Sequence, residues 1–471
     1  MTEKLSITEL TSDGMGQGII IKQDGSERKV RVPFTLPGDV VEVEVRRGKK
    51  RGTSLGIIKS FVEKSSNRVE PLCKHFASCG GCSFQHIAYA DQLKMKEAHV
   101  RTLFGAAGQE VEEKNVPFYP ILPSESTWKY RNKMEYSFSQ NAKGEKFLGL
   151  IMSQTRGWVF NLEECHLVDP WFADVCREVR AWWDTVPLEA YWHGTNKGAL
   201  RTLTLRHGIT SGDRMLILTV SGNPDYAIKK HDLDSFVALI QKVAKLEPPA
   251  HLSIVLRIQQ IAKGSPTQFY EMILSGPDFI REYVATGVGD KSLEFQISPQ
   301  AFFQPNTRTA SKLYAKALEL AGITAESVVY DLYCGIGVFG MIATHTAKEV
   351  IGIELSPESA YDAKTNSERL ELKNFKIYEG DVGKVLQEKK DELPHPDVVI
   401  VDPPRAGLDK AAISQVIGLA PKTIVYVSCN PATQVENIKV FQESGYKIKA
   451  IQPVDQFPHT PHVENIVICE R

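Results

Sequence analysis

The chain has 471 residues, which is too long for one ordinary hydrophobic core and predicts two or three domains. Hydrophobic residues make up 42% and charged residues 24%, as in folded soluble proteins, and no apolar run is long enough to cross a membrane. The net charge of −1 does not by itself indicate a polyanionic partner, so such a partner would have to be bound by local clusters. The N-terminus lacks the plan of a signal peptide. We therefore expect a cytosolic protein with no membrane association and no obligate protein partner.

Residues 1–62 are predicted to form a small β-barrel domain. Short segments rich in Val and Ile, such as GIIIKQ and VVEVEVRR, alternate with glycine-containing turns. Small barrels of this kind often bind nucleic acid. Five cations lie within six positions of this domain: Arg46, Arg47, Lys49, Lys50 and Arg51. On charge alone, a solvated hairpin tip and a nucleic-acid contact are equally good interpretations of this cluster.

Residues 63–290 are predicted to form a mixed α/β central domain. Helices are expected near 91–104 and 233–246, and β-like runs such as KMEYSFS and RMLILTV predict antiparallel strands. Three residues of the stretch KYRNKMEYS are candidates for an RNA surface or for a wall of the active site: Arg131, Asn132 and Lys133. An ordinary polar strand end is the alternative interpretation of this stretch.

Residues 291–471 are predicted to form a Rossmann-like α/β domain. After a helical lead-in near Ser311, strand-like runs (VVYDLY, EVIGIE, DVVIVD, TIVYVS) alternate with helical segments. Such alternation predicts a parallel sheet with helices on both faces. The last two strand-like runs have no helix between them, so the final strand is expected to pair antiparallel.

A glycine-rich turn follows the first strand of this domain. The sequence DLYCGIGVFG runs from Asp331 to Gly340, and glycines there would let a ligand approach the backbone. Glu354 ends the next strand, 19 residues after Gly335, where a carboxylate can accept hydrogen bonds from ribose hydroxyls. The glycine spacing alone fits dinucleotides as well as S-adenosylmethionine.

Two later strand ends favour a methyltransferase. One strand ends in VDPPR, which contains Asp402, and the next ends in SCNP, which contains Cys429. Ligands of open α/β sheets bind beyond the carboxyl ends of the strands, so Glu354, Asp402 and Cys429 should converge on one crevice. A dehydrogenase has no evident use for a thiol at this position.

Methylation of uracil at C5 would use such a thiol. The C5 carbon is a weak nucleophile until a thiolate adds at C6, and a base must afterwards remove the C5 proton so that the thiol can leave. Cys429 is predicted to supply the thiol, with its pKa lowered by the helix that follows. Glu464, directly ahead of the last strand, is the candidate base. A buried, unreactive cysteine and an exposed turn carboxylate are the alternatives.

Three cysteines within ten residues, in the pattern Cys-x5-Cys-x2-Cys, indicate a metal centre. The candidate ligands are Cys73, Cys79 and Cys82, with Cys165 as a candidate fourth. Spacing alone leaves zinc and iron–sulfur open, and His75 or His86 could replace a cysteine in a zinc site. Cys176 and Cys469 are expected to be structural.

Six motifs occur in the order typical of one family, and together with the N-terminal features they span nearly the whole chain. They are SPQAFFQPN (298–306), DLYCGIG (331–337), VIGIE (350–354), VDPPRAG (401–407), YVSCNP (426–431) and PHVENI (461–466). On these motifs the chain resembles the RNA uridine C5-methyltransferase family. A departure is Val338, where several relatives carry a polar residue.

The resemblance implies roles for individual residues. It implies that Cys429 is the nucleophile and Glu464 the general base, acting on a base that has left its stack. It also implies S-adenosylmethionine contacts from five residues: Gln304, Tyr333, Glu354, Asp381 and Asp402. The four candidate metal ligands would hold a [4Fe–4S] cluster, as in the iron–sulfur members of the family.

The N-terminal domain is similar to a TRAM domain, an RNA-binding barrel, and this makes the Arg46–Arg51 cluster a better candidate for phosphate contact. A TRAM domain combined with the cysteine pattern resembles the 23S rRNA enzymes of the family more than the tRNA enzymes. The predicted activity is therefore C5 methylation of a uridine, with 23S rRNA as the expected substrate and tRNA as the alternative. Two other possibilities stay open: an amino-group methyltransferase using Asp402-Pro-Pro-Arg405, and a non-catalytic RNA-binding factor.

Overall fold

The structure is a computed structural model that describes residues 2–11, 13–22, 24–47, 54–107, 116–261, 264, 266–289 and 291–471. Three members of the predicted cation cluster, Lys49, Lys50 and Arg51, lie outside these residues. No helix in the described part of the chain is long and apolar enough to span a membrane.

The N-terminal domain is a six-stranded sheet in the order β1-β5-β6-β4-β3-β2. Inward-facing Val and Leu side chains on alternate positions form its small core, as a half-buried strand pattern requires. Thr8 N donates to Gln17 O (3.0 Å), which ties the end of the first strand to β3. The strands are β1 (Thr2–Ser6), β2 (Glu9–Leu10), β3 (Gly16–Ile21), β4 (Glu27–Val32), β5 (Val40–Arg47) and β6 (Ser54–Glu63).

The central domain carries a second six-stranded sheet, in the order β12-β11-β10-β9-β7-β8. Its strands pair antiparallel except β10 and β11, which are parallel because α3 connects them. Helices α2 and α3 cover one face of this sheet over a core of aromatic and aliphatic side chains. The elements are β7 (Lys133–Gln140), β8 (Lys146–Gly149), α2 (Trp171–Thr185), β9 (Leu200–His207), β10 (Arg214–Ser221), α3 (Lys230–Ala244), β11 (Leu252–Gln260) and β12 (Gln268–Ser275), with a 3₁₀ turn at Pro224–Tyr226.

The C-terminal domain is a seven-stranded sheet in the order β17-β16-β15-β18-β19-β21-β20, with helices on both faces. The predicted antiparallel pairing of the final strand is confirmed, because β21 runs against both β19 and β20. The strands are β15 (Val328–Leu332), β16 (Glu349–Glu354), β17 (Phe375–Glu379), β18 (Val398–Val401), β19 (Thr423–Ser428), β20 (Lys447–Val454) and β21 (Glu464–Glu470). The helices are α4 (Thr307–Ala321), α5 (Val338–Ala343), α6 (Pro357–Arg369), α7 (Val382–Glu388), α8 (Lys410–Leu419) and α9 (Pro431–Glu443).

Two segments from earlier in the chain and one hairpin pack on this C-terminal sheet. Helix α1 (Tyr89–Ala107) contributes Val100 and Phe104 to the apolar cluster on one face. Residues 116–122 run parallel to β20, with bridges from Phe118 to Ile451 and from Leu122 to Val454. On the other face, the hairpin of β13 (Ile280–Ala285) and β14 (Ser292–Ile297) joins the cluster beneath α4.

Candidate active site

The turn after β15 brings backbone N–H groups to the carboxyl edge of the sheet. Tyr333, Gly335 and Gly337 all have left-handed φ angles (63°, 57° and 83°), which bend the chain sharply from strand to helix. The carboxylate of Glu354, at the end of β16, accepts hydrogen bonds from Gly335 N (2.8 Å) and Ser356 N (2.7 Å). Glu354 is thereby fixed beside the glycine-rich turn, as the sequence predicts.

Acidic side chains stand close together at this edge. Asp331 is 3% exposed, accepts a hydrogen bond from Gly340 N (2.8 Å), and has its pKa raised to about 7 by burial and by the charges of Asp402 and Glu354. Burial also raises the pKa of Asp402, at the end of β18. The buried carboxyl groups, with the pKa of Asp331 raised partly by its acidic neighbours, make this crevice favourable for a cation.

Cys429 lies between β19 and α9, partly exposed. Burial raises the pKa of its thiol, and the charges of Glu464 and Asp402 raise it further. The positive charge of Arg405 and its hydrogen bond to the thiol act in the opposite direction. The sequence predicted a lowered pKa from the helix N-terminus. The structure gives the opposite direction, because the fold buries the thiol beside two carboxyl groups.

Glu464 is the first residue of β21 and is 2% exposed. Asn465 is paired with Ser428, so the antiparallel register sets Glu464 and Cys429 at adjacent positions of neighbouring strands. Burial and the charge of Asp402 raise the pKa of Glu464 far above its ordinary value. Its Oε2 atom is buried without a hydrogen-bond partner in the described structure, which leaves an acceptor free for a ligand.

The other predicted cofactor residues occupy different environments. Gln304 is buried, and its Oε1 accepts a hydrogen bond from Gln456 (3.4 Å). Tyr333 is partly buried, which raises the pKa of its phenol, and the charges of Asp409 and Asp381 add to this. Asp381 is exposed and caps α7 by accepting a hydrogen bond from Lys384 N (3.1 Å). The structure thus gives Asp381 a helix-capping function of its own.

Sequence reasoning gave no site role to two residues of the crevice. Asp331 is a carboxylate inside the apolar strand VVYDL, and this pattern was the available signal for a buried functional acid. Arg405 was considered only within an alternative motif, although its guanidinium contacts Cys429 and lies 3.4 Å from His462 Nε2. The two contact partners of Arg405, Cys429 and His462, follow β19 and precede β21. They are distant from Arg405 in sequence, so motif spacing could not reveal these contacts.

The four predicted metal ligands share one cavity of about 760 Å³. Gly81 N donates to Cys79 Sγ (3.3 Å), as expected of glycines beside a thiol. Burial raises the pKa of Cys82 to about 12 and that of Cys165 to about 11, and the charges of the other cysteines add to both. Within the described residues, no three His, Cys, Asp or Glu side chains form a group ready to hold a metal ion. Cys176 and Cys469 are buried apart from this cavity.

Of the three residues in the KYRNKMEYS candidate surface, only Arg131 lines the cysteine cavity. Asn132 is buried and donates to Gln304 O (2.8 Å) and Thr307 Oγ1 (3.0 Å), so it supports the segment that carries Gln304. Burial, together with the charge of Arg206, lowers the pKa of Lys133 to about 8. The cavity also reaches Arg405, so it connects the cysteines with the surroundings of Cys429.

The chain is similar to known proteins over most of its length. The family model of the tRNA (uracil-5-)-methyltransferases matches residues 250–471, and that of the TRAM domain of tRNA (uracil(54)-C(5))-methyltransferase matches residues 4–56. An uncharacterized RNA methyltransferase of Protochlamydia amoebophila is 49% identical over 444 residues, covering 93% of this chain and 99% of that protein. Another, of Bacteroides thetaiotaomicron, is 35% identical over 461 residues, covering 93% and 96%.

A solved structure shares the fold over the full length of both chains. It is the Pyrococcus abyssi tRNA (uracil-54, C5)-methyltransferase in complex with S-adenosyl-L-homocysteine, with a TM-score of 0.72, 24% identity and 100% coverage of each chain. The chain therefore belongs to the RNA (uracil-5-)-methyltransferase family, whose members use S-adenosylmethionine, and it carries a TRAM domain at its N-terminus.

Proposed function

We propose that the protein methylates C5 of a uridine in 23S rRNA, with Cys429 as nucleophile and Glu464 as general base. The observation that supports this proposal is the placement of the Cys429 thiol, which the pairing of β19 with β21 sets beside Glu464 and which the guanidinium of Arg405 contacts. A thiol and a buried carboxyl group with a free oxygen at one sheet edge are the nucleophile and the base that this reaction needs. An amino-group methyltransferase would give Cys429 no role.

The reaction begins when the thiolate of Cys429 adds to C6 of the flipped uracil, and the electron pair of the C5–C6 bond becomes available at C5. Arg405 favours the thiolate by its charge. S-adenosylmethionine supplies an electrophilic methyl group and a positive charge. Glu464 then takes the C5 proton, the C5–C6 double bond reforms and Cys429 leaves as thiolate. The raised pKa makes the ionised carboxylate of Glu464 a stronger base, and only this ionised form can take the C5 proton.

Four of the five predicted cofactor contacts are proposed to form the S-adenosylmethionine site. Glu354 is proposed to accept the ribose hydroxyls, since its carboxylate is already held beside the glycine-rich turn. Gln304, Tyr333 and Asp402 are proposed to surround the methionine and adenine parts. Asp381 is the least supported contact, because its carboxylate caps α7.

The four cavity cysteines are proposed to hold a [4Fe–4S] cluster with a structural role. It is supported by the shared cavity and by the N–H group of Gly81 directed at Cys79 Sγ, and it requires the described cysteine side chains to move closer together than they lie in this structure. The raised pKa values of Cys82 and Cys165 mean that these thiols stay protonated unless a metal favours the thiolates. Anaerobically purified protein should be brown and contain iron and sulfide. A colourless protein with stoichiometric zinc would overturn this assignment.

The choice of 23S rRNA rests on the TRAM domain combined with the cysteine cavity. The second candidate is tRNA, because both matching family models and the solved relative are named for tRNA. Mapping of 5-methyluridine in both RNA classes, with and without the gene, distinguishes the two. Loss of one modified uridine from 23S rRNA is expected, and its restoration should require an intact Cys429. Loss confined to tRNA would assign the enzyme to tRNA, and no loss in either class would contradict the proposed activity.

A further inference from the structure

The segment 455–463 joins β20 to β21 and delivers the chain to Glu464. It contains Pro458 and Pro461, and between them His459 has a left-handed φ of 64°. A left-handed conformation is uncommon for a residue other than glycine, and surrounding contacts help to hold it. The contacts around His459 therefore fix the course of the segment that precedes Glu464.

Gln92 of α1 holds the backbone and the ring of His459 together. Its Oε1 accepts a hydrogen bond from His459 N (2.9 Å), and its Nε2 lies 3.2 Å from His459 Nδ1. The same Nε2 donates to Ile87 O (2.9 Å) and Phe84 O (3.2 Å). The side chain is fully buried, so water cannot replace these bonds.

The loop after the cysteine motif completes the enclosure of His459. The N–H groups of Ser83 and Phe84 both donate to His459 O, at 2.9 and 3.0 Å. The ring of Trp128 stacks on the His459 ring with centroids 3.9 Å apart. The backbone N–H, the carbonyl and the ring of His459 are thus all held by residues from outside the C-terminal sheet.

Glu464 follows five residues later, and its own side chain is weakly restrained. Its Oε2 is buried without a partner in the described structure, and β21 pairing fixes only its backbone. A base that abstracts a proton must lie within hydrogen-bond distance of it, and a displacement of about 1 Å can slow such a step by about a hundredfold. The placement of the 455–463 segment therefore bears directly on proton removal.

We propose that Gln92 is a positioning residue for the proton-removal step. By fixing His459 it holds the 455–463 segment so that Glu464 meets the C5 proton of the covalent intermediate. In that intermediate Cys429 Sγ is bonded to C6, and C5 carries both the new methyl group and its proton. Glu464 takes the proton, and the electron pair of the broken C5–H bond forms the C5–C6 double bond. The C6–S bond breaks, and its electron pair leaves on Cys429 Sγ. This inference rests on the proposed role of Glu464.

The test is the fate of the covalent intermediate in Gln92→Met, which keeps the side-chain length and removes both hydrogen-bonding groups. With S-adenosylmethionine and uridine RNA, we expect a denaturation-resistant protein–RNA complex to accumulate, as it should in Glu464→Gln. Turnover should fall by about tenfold to a hundredfold, while single-turnover methyl transfer keeps the wild-type rate. If Gln92→Met does not fold, Gln92→Asn carries the same expectation.

Gln452→Met is the matched control, because Gln452 is also a buried glutamine that donates to two backbone carbonyls, those of Pro120 and Pro453. It should lower stability without accumulating the complex. The positioning role is overturned if Gln92→Met slows complex formation and turnover together, or changes neither. If Glu464→Gln turns over at the wild-type rate, the assignment of Glu464 as the base fails. This outcome is distinct from the Gln92→Met outcomes, which test the positioning role.

Discussion

At the scale of single residues, the protonation of Cys429 is set by opposing neighbours. Burial, Glu464 and Asp402 raise the pKa of the thiol, and Arg405 lowers it. Because the thiolate is the attacking species, a raised pKa leaves most of the thiol protonated at neutral pH. The attack should therefore become faster as the pH rises toward that pKa.

Arg405→Gln should move this pH dependence to a higher pH. Loss of the guanidinium removes the charge and the hydrogen bond that lower the pKa of Cys429, so the thiolate fraction at neutral pH falls. Below the pKa, each unit of upward shift costs about tenfold in rate at a given pH. The measurement is the single-turnover rate against pH for both proteins. If the single-turnover rate rises over the same pH range in both proteins, the role given to Arg405 is contradicted.

At the scale of elements, α1 is bound to the segment before β21 by a buried ion pair. Lys96 Nζ lies 2.5 Å from Asp455 Oδ1 and donates to Phe457 O (2.9 Å), and both charged side chains are almost fully buried. Removing one partner of a buried pair leaves the other charge without compensation.

Lys96→Met should therefore lower the free energy of unfolding by about 3–5 kcal/mol. The control is Lys94→Met in the same helix, since Lys94 pairs with Asp91 at the surface and exposed pairs contribute about 0–1 kcal/mol. Denaturant titration of the two variants measures the difference. Equal losses would show that burial of the Lys96 pair has no special importance.

The elements differ in how far they follow from sequence. The alternation of strands and helices predicted the C-terminal fold and its antiparallel last strand, because both are local patterns. The docking of α1 on that sheet was not predicted, since Lys96 and Asp455 are 359 positions apart. The direction of the Cys429 pKa shift was mispredicted for the same reason. A helix start is visible in sequence, whereas burial beside Glu464 is a product of the fold.

At the scale of the whole molecule, the central domain holds a segment that carries a predicted cofactor residue. Arg206 of β9 is 3% exposed and donates to Ser298 O (2.8 Å) and Ala301 O (3.0 Å), just ahead of Gln304. A planar guanidinium can bind several carbonyls at fixed angles, whereas an ammonium group cannot reproduce this arrangement.

Arg206→Lys should weaken the binding of S-adenosylhomocysteine by about tenfold, the equivalent of about one lost charged hydrogen bond. Calorimetric titration measures the Kd. Arg177→Lys serves as the control, since Arg177 pairs with Asp174 at the surface of the central domain. Unchanged affinity in Arg206→Lys would indicate that the C-terminal domain holds its cofactor segment unaided.

The central claim is that Cys429 attacks the target base, and RNA containing 5-fluorouridine tests it most directly. Fluorine at C5 cannot be removed as a proton, so methyl transfer should leave the RNA covalently bound to the thiol. After nuclease and protease digestion, mass spectrometry should find a methylated fluorouridine on the peptide containing Cys429, and none in Cys429→Ala. An adduct on another residue, or wild-type methylation of uridine RNA by Cys429→Ala, would contradict the mechanism.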